Sequence, residues 1–212
     1  MQMHVKNEFW QEKQMIKNKF ENELFYCEHI LDNIQNPEMI KTFQVNQKTG
    51  QGLEYYLKKS AIIEENMHIA RTYLVKDKDT HEIVAYFSLK AGMIAANERK
   101  SFFRSEFDSV PGIELANFAV NGLYKEAHEE YEGIGKIIFL DFILPIVKKA
   151  AKYIGIKYIY IFALPYDHLI NYYKTLEFTR LSFLEELFMH RRIRPRYDRR
   201  CIFMAQKIGH DD

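Results

Sequence analysis

Three consecutive segments constrain the fold most: "IELANFAV" (113–120), "IGKIIFLDFILPIVKKAAKYIG" (134–155) and "KYIYIFAL" (157–164). The first and last have strand length, and the continuous apolar character of the last is that of a strand buried on both faces. The middle segment reads as a long helix, with Gly155 placed to cap its end. A strand, a helix and a strand in this order make a parallel pair connected across a sheet face. Upstream, "ARTYLVKD" and "EIVAYFSLKAG" flank the polar turn "KDKDTH" and read as an antiparallel hairpin, and "CIFMAQKI" reads as a last strand. The expected architecture is α/β (α+β): a mixed, mostly antiparallel sheet with one parallel pair and helices on its faces.

The other segments fill in around this frame. Residues 8–34 place Phe9, Ile16, Phe20, Leu24, Phe25 and Ile30 near helical spacing, which predicts an N-terminal helical arm over 1–42 ahead of a domain over 43–212. "LEYYLKKSAIIEEN" has Leu53, Tyr56, Leu57 and Ala61 on one helical face, and "YDHLINYYKTLEF" reads as a short helix. "MIAANERKSFFRSEFDSVPG", with Phe102, Phe103 and Phe107, reads as irregular and lying over one face of the site. "NGLYKEAHEE" reads as a polar loop, and "TRLSFLEELF" as a strand or a strand and loop.

Composition excludes several classes. With 47% apolar and 15% aromatic residues the chain can bury a core, so disorder is ruled out. A net charge of +1 gives no overall field for nucleic acid or an anionic membrane, so any polyanion contact must be local. Cys27 and Cys201 form no C-x-x-C pair and read as reduced thiols of a cytoplasmic protein. The longest greasy stretch, "IIFLDFILPIV", is broken by Asp141 and Pro145, so no membrane segment is expected. The histidines lack the i, i+4 pairing of a helical metal site, so no metal is expected.

"EYEGIGKII" (130–138) sets two glycines at the start of the long helix. A helix N-terminus after a strand presents unpaired N–H groups and the positive end of the helix dipole, which suits a pyrophosphate. No third glycine completes G-x-G-x-x-G, and Glu130 stands where a P-loop would begin. Taken alone, the pair is compatible with a phosphate cradle or with an ordinary turn.

Read together, "IELANFAV", "EYEGIGKII", "IYIFALP" and "INYYKTLEF" resemble the GNAT N-acetyltransferase superfamily, whose coenzyme motif is R/Q-x-x-G-x-G/A at the start of a long helix. Gly133 and Gly135 fill its small positions, and Tyr172, Tyr173 and Phe178 match its aromatic-Tyr-x-x-x-G-F helix. The upstream segments are similar to the branch that includes aminoacyl-tRNA-acetylating toxins, and the resemblance spans roughly residues 43 to 207. Three departures stand out. Glu130 replaces Arg or Gln, Glu177 replaces a glycine, and the loop between Val120 and Glu130 is longer than the common form.

The resemblance implies acetyl-CoA as co-substrate. Its pantetheine arm would lie between the two central strands against the backbone of Phe118, Ala119 and Val120. Its pyrophosphate would lie against Tyr131, Glu132, Gly133, Ile134, Gly135 and Lys136, with Glu130 pointing away. Tyr173 matches the tyrosine that serves as general acid, and Glu114 stands where some members present a general base. Asp167 is placed to cap the tyrosine helix, with His168 beside it. The cluster Arg191, Arg192, Arg194, Arg196, Arg199 and Arg200 could grip tRNA phosphates or form a solvated loop. The leading expectation is acetyl transfer to the amine of a small molecule or peptide. Its alternatives are aminoacyl-tRNA acetylation and a non-catalytic ligand-sensing module, and a homodimer is compatible with all three.

Overall fold

The structure, a computed structural model, describes residues 20–100, 105–193 and 198–209. Among these residues, eight strands form one sheet: β1 (Phe20–Glu21), β2 (Phe25–His29), β3 (Arg71–Asp77), β4 (Ile83–Lys100), β5 (Ser105–Val120), β6 (Tyr158–Ala163), β7 (Thr179–Arg180) and β8 (Ile202–Lys207). Their order is β1-β2-β3-β4-β5-β6-β8-β7. All neighbours are antiparallel except β5 and β6, which run parallel as the strand-helix-strand order requires. The helices are α1 (Asn36–Met39), α2 (Gln51–Lys59), α3 (Ala61–Asn66), α4 (Gly122–Ala127), α5 over 134–151, α6 (Asp167–Thr175) and α7 (Phe183–Arg192).

Helix α5 consists of Ile134–Ile138, a π-helical turn at Phe139–Ile143, and Leu144–Ala151. Pro145 has no N–H, and in a regular helix its ring would strike the Asp141 carbonyl; the wider turn before it accommodates both defects. The helix ends at Ala151, so Gly155 does not cap it as expected.

Helix α5 buries Ile138, Phe139, Phe142, Ile143 and Val147 against Val75, Phe87, Ile159 and Ile161 on one face of the sheet. The opposite face carries two smaller clusters. Tyr56, Leu57 and Ala61 of α2 and α3 cover Leu74, Tyr86 and Ala119, while Met189 of α7 covers Ile94, Ala95, Tyr160 and Phe203. Each fully buried side chain of this size contributes roughly 1.5–3 kcal/mol.

Four expectations are corrected. Of the helical arm, residues 20–29 are the strand pair β1 and β2 and only the end is helical, at α1 and the turn Ile40–Thr42; residues 1–19 lie outside the described residues. Phe25 and Cys27 are buried with Tyr26 between them less so, a period of two imposed by pairing with β3. Lys76 locks this pairing: it is 1% exposed, meets Glu28 of β2 at 2.7 Å and donates to Asn36 Oδ1 at 2.6 Å.

The segment expected to be irregular instead extends β4 and β5 into a long hairpin, because Ile94 and Ala95 gain cover from α7; Phe102 and Phe103 lie outside the described residues. The expected polar loop after β5 contains α4, whose N-terminus is capped by the Asn121 side chain accepting from the Leu123 N–H. "TRLSFLEELF" is strand only at Thr179–Arg180. It continues as α7, which Ser182 and Glu185 begin with a reciprocal capping box.

Candidate functional site

Strands β5 and β6 pair at three positions, Gly112 with Tyr158, Ile113 with Ile159 and Glu114 with Tyr160, and then part. Across β5 from this gap, β4 pairs Leu89 with Leu115 and Ser88 with Asn117, so Ala116 is an extra residue. The bulge reverses the strand's alternation. Ile113 and Leu115 pack on the α5 side before it, Phe118 and Val120 pack there after it, and Ala119 turns to the α2 side. From Leu115 onward, the β5 edge that faces β6 has no strand paired to it among the described residues.

The start of α5 adjoins the end of this edge. Gly133, the residue before the helix, has φ +68°, and an added Cβ would meet nothing within 4 Å. Glycine is therefore needed there for conformation rather than for space. Gly135 is the opposite case, since a Cβ would lie 2.8 Å from the Tyr172 hydroxyl.

Of the amides expected to hold an anion, that of Tyr131 donates to the His128 carbonyl and that of Lys136 to the Gly133 carbonyl. Among the described residues, the N–H groups of Glu132, Gly133, Ile134 and Gly135 make no such bond, which narrows the cradle to four donors. The Lys136 side chain is exposed beside them. Glu130 is held by His128 at 3.2 Å.

That loop is anchored from behind. Tyr131 stacks on His128, and His128 stacks on Tyr124 at 4.2 Å between ring centroids. The Tyr124 hydroxyl donates to Asp77 at 2.5 Å. Burial alone would raise the Asp77 pKa, but the Tyr124 hydroxyl and the amides of Thr80 and Asp79 more than offset it and hold the carboxyl below its usual range. Nothing in the spacing of Asp77 and Tyr124 marks this pair in the sequence.

Helix α6 brings both tyrosines to the α5 side of the sheet. Tyr173 packs on Phe178 and Tyr172 at centroid distances of 5.7 and 5.3 Å, and burial pushes its pKa up to about 12, so it remains a phenol at neutral pH. Asp167 is not the cap: Tyr166 holds that position with no side-chain hydrogen bond, and His168 is exposed.

Glu177 follows α6 with φ +65°, which explains why a glycine is usual at this position of the motif. A left-handed non-glycine residue costs about 1–2 kcal/mol, part of which glycine returns through the entropy of the unfolded chain. Glu177→Gly should therefore stabilise the protein by about 0.5–1 kcal/mol, read as a higher urea midpoint at unchanged m-value. A lower midpoint would refute this account.

Glu114 lies on the opposite face, between the two smaller clusters. It is half-buried and stands across from Lys90 on β4, whose ammonium is 3.3 Å from Glu64; the Tyr56 hydroxyl donates to that same carboxylate at 3.1 Å. Burial, and after it the Glu114 charge, raises the Tyr160 pKa, which sets the carboxylate beside that ring. The structure thus brings Val120, Gly133, Gly135 and Tyr172 together, with Glu114 at the closed end of the gap and on its far side.

The arginine cluster is divided. Arg191 and Arg192 end α7, with Arg192 over the Phe188 ring at 3.4 Å, Arg200 is paired with Asp198 at 2.8 Å, and Arg199 is exposed. Arg194 and Arg196 lie outside the described residues. Among the described residues no group of three or more His, Cys, Asp or Glu side chains is placed to hold a metal, and no helix is long and apolar enough to cross a membrane.

No protein-family model matches the chain, and no curated protein does. Solved structures do. A crystal structure of a tyrosine-to-phenylalanine mutant of KacT superposes with a TM-score of 0.63 at 16% identity, covering 88% of this chain and 96% of that one. AtaTR bound with acetyl-CoA gives 0.59 at 15%, covering 88% and 95%. AtaT complexed with acetyl-methionyl-tRNAfMet gives 0.58 at 15%, covering 84% and 93%. At these identities the likeness establishes the fold, which is the GNAT fold that the motifs resemble.

Proposed function

We propose that a chain with this fold and this gap is an acetyl-CoA-dependent N-acetyltransferase whose acceptor is the amino group of an aminoacyl-tRNA. The observation that carries the reading is the parting of β5 and β6 directly beside the glycine-cornered start of α5. A strand edge that ends at four N–H donors matches a ligand with an amide-bearing arm and a pyrophosphate. The residues fit: Gly133 and Gly135 keep the approach open, and the buried Tyr172 hydroxyl at the same place has no partner among the described residues.

When bound, acetyl-CoA supplies the acetyl group as a thioester. The β5 backbone at Phe118, Ala119 and Val120 offers the edge along which the arm is held. The N–H groups of residues 132–135, with Lys136, hold the negative charge. Tyr173 is the general acid for the leaving sulfur, and Glu114 takes the proton from the attacking amine.

The acceptor is supported by the likeness to AtaT complexed with acetyl-methionyl-tRNAfMet and by the exposed arginines at the end of α7 and before β8. It displaces the small-molecule or peptide amine as the leading reading, because that reading has no counterpart among these structures. The test is incubation with labelled acetyl-CoA and, in parallel, aminoacylated tRNA, deacylated tRNA and a panel of free amines. Label should enter only the aminoacylated tRNA, and less of it as salt rises. Label on free amines alone would overturn the acceptor, and no label anywhere would overturn the enzyme.

A further inference from the structure

Helix α6 carries a hydroxyl that the described residues leave unsatisfied. The Tyr172 oxygen is buried and has no hydrogen-bond partner among the described residues, whereas nearly all buried polar groups in native proteins have one. Its position is informative. A Cβ built on Gly135 would lie 2.8 Å from this oxygen and 3.8 Å from Val120 Cγ2, which puts the hydroxyl where the open β5 edge meets the first turn of α5.

The polar groups at that turn are the N–H donors of residues 132–135. A phenol there cannot give its proton to another donor. Burial, with the neighbouring Tyr173 adding to it, raises the Tyr172 pKa, so the oxygen keeps its proton and needs an acceptor. Tyr173, one residue on, touches the Tyr172 ring edge-on and packs against Phe178, whereas the Tyr172 oxygen lies at Gly135.

We propose that Tyr172 is a further binding residue for the coenzyme, its hydroxyl donating to a phosphate oxygen held by the N–H groups at the start of α5. A phosphate oxygen only accepts, so one ligand group satisfies both the orphaned hydroxyl and the amides around it. The proposal also accounts for Gly135, since any side chain there would displace the hydroxyl. It rests on the reading that the gap takes acetyl-CoA, and it adds a contact separate from the catalytic phenol.

The test is calorimetric titration of coenzyme A into the full chain and into Tyr172→Phe, with pantetheine, which lacks the pyrophosphate, as a competitor in both. The phenylalanine keeps the ring. The dissociation constant for coenzyme A should rise about tenfold, equivalent to about 1.4 kcal/mol. Pantetheine, competed against a fluorescent coenzyme analogue, should give the same inhibition constant for both proteins once the weaker hold of the variant on the analogue is taken into account. The melting temperature of the unliganded variant should equal or exceed that of the wild type, because the mutation removes an unsatisfied hydroxyl.

Equal coenzyme A affinity in the two proteins would overturn the proposal. So would a loss that pantetheine shares, which would place the contact on the arm, or a lowered melting temperature, which would make the hydroxyl structural. Wild-type protein that binds no coenzyme A would remove the acetyltransferase reading itself. The two failures are therefore told apart by the wild-type titration alone.

Discussion

Tyr173→Phe should slow acetyl transfer by two to three orders of magnitude, about the effect of removing a positioned general acid, while coenzyme A affinity stays within about twofold of wild type. The substitution deletes one oxygen and leaves the ring in place against Phe178 and Tyr172. With its pKa pushed up to about 12, the phenol is fully protonated across the neutral range, so it contributes no falling limb to the pH-rate profile there. Single-turnover rates with a fixed acceptor, measured beside calorimetric affinities, separate the two tyrosines: loss at 173 is read in rate and loss at 172 in affinity. Transfer by Tyr173→Phe at the wild-type rate would remove the residue from the mechanism.

The largest stability effect is expected in β3, away from the site. Lys76→Met should destabilise the protein by about 3–5 kcal/mol, because it leaves the Glu28 carboxylate and the buried Asn36 amide without their cation. The double variant Lys76→Met with Glu28→Met should recover most of that loss, since a buried ion pair exchanged for apolar groups of similar size is often neutral. Urea unfolding of the wild type, both single variants and the double variant forms the cycle. A cost below about 1 kcal/mol for Lys76→Met would show that the buried pair does not hold β2 to the sheet.

Patterns confined to one segment were readable in the sequence. β5 from Ile113 onward, α5 and β6 were legible because their apolar runs differ in length and period, whereas Gly133 stood out only through the motif it fills, and its positive φ appears only in the structure. Glu177 was legible as a departure, although its meaning appears only in its positive φ. Features set by distant pairing were hidden. The helical spacing of residues 20–30 is also compatible with a strand, and what decides is β3, far along the chain.

Helix α7 is a different kind of miss. Ser182 and Glu185 spell a capping box in the sequence, yet the apolar residues around them also suit a strand. Tyr172 marks the limit for the site. An aromatic pair is visible in "NYY", but which phenol is left without a partner depends on where each ring ends in space.

Tyr160 ties three strands of the sheet together. Its ring reaches from β6 across Gly112 to Gly92, two glycines that face each other on β5 and β4, and a Cβ on Gly92 would overlap the Tyr160 hydroxyl. The aromatic ring acts as a rivet driven through three strands just where the parallel seam closes. Strands β4, β5 and β6 are thereby pinned to one another at the closed end of the gap, while α5, packed on Val75 and Phe87 to one side and on Ile159 and Ile161 to the other, bridges the sheet across it.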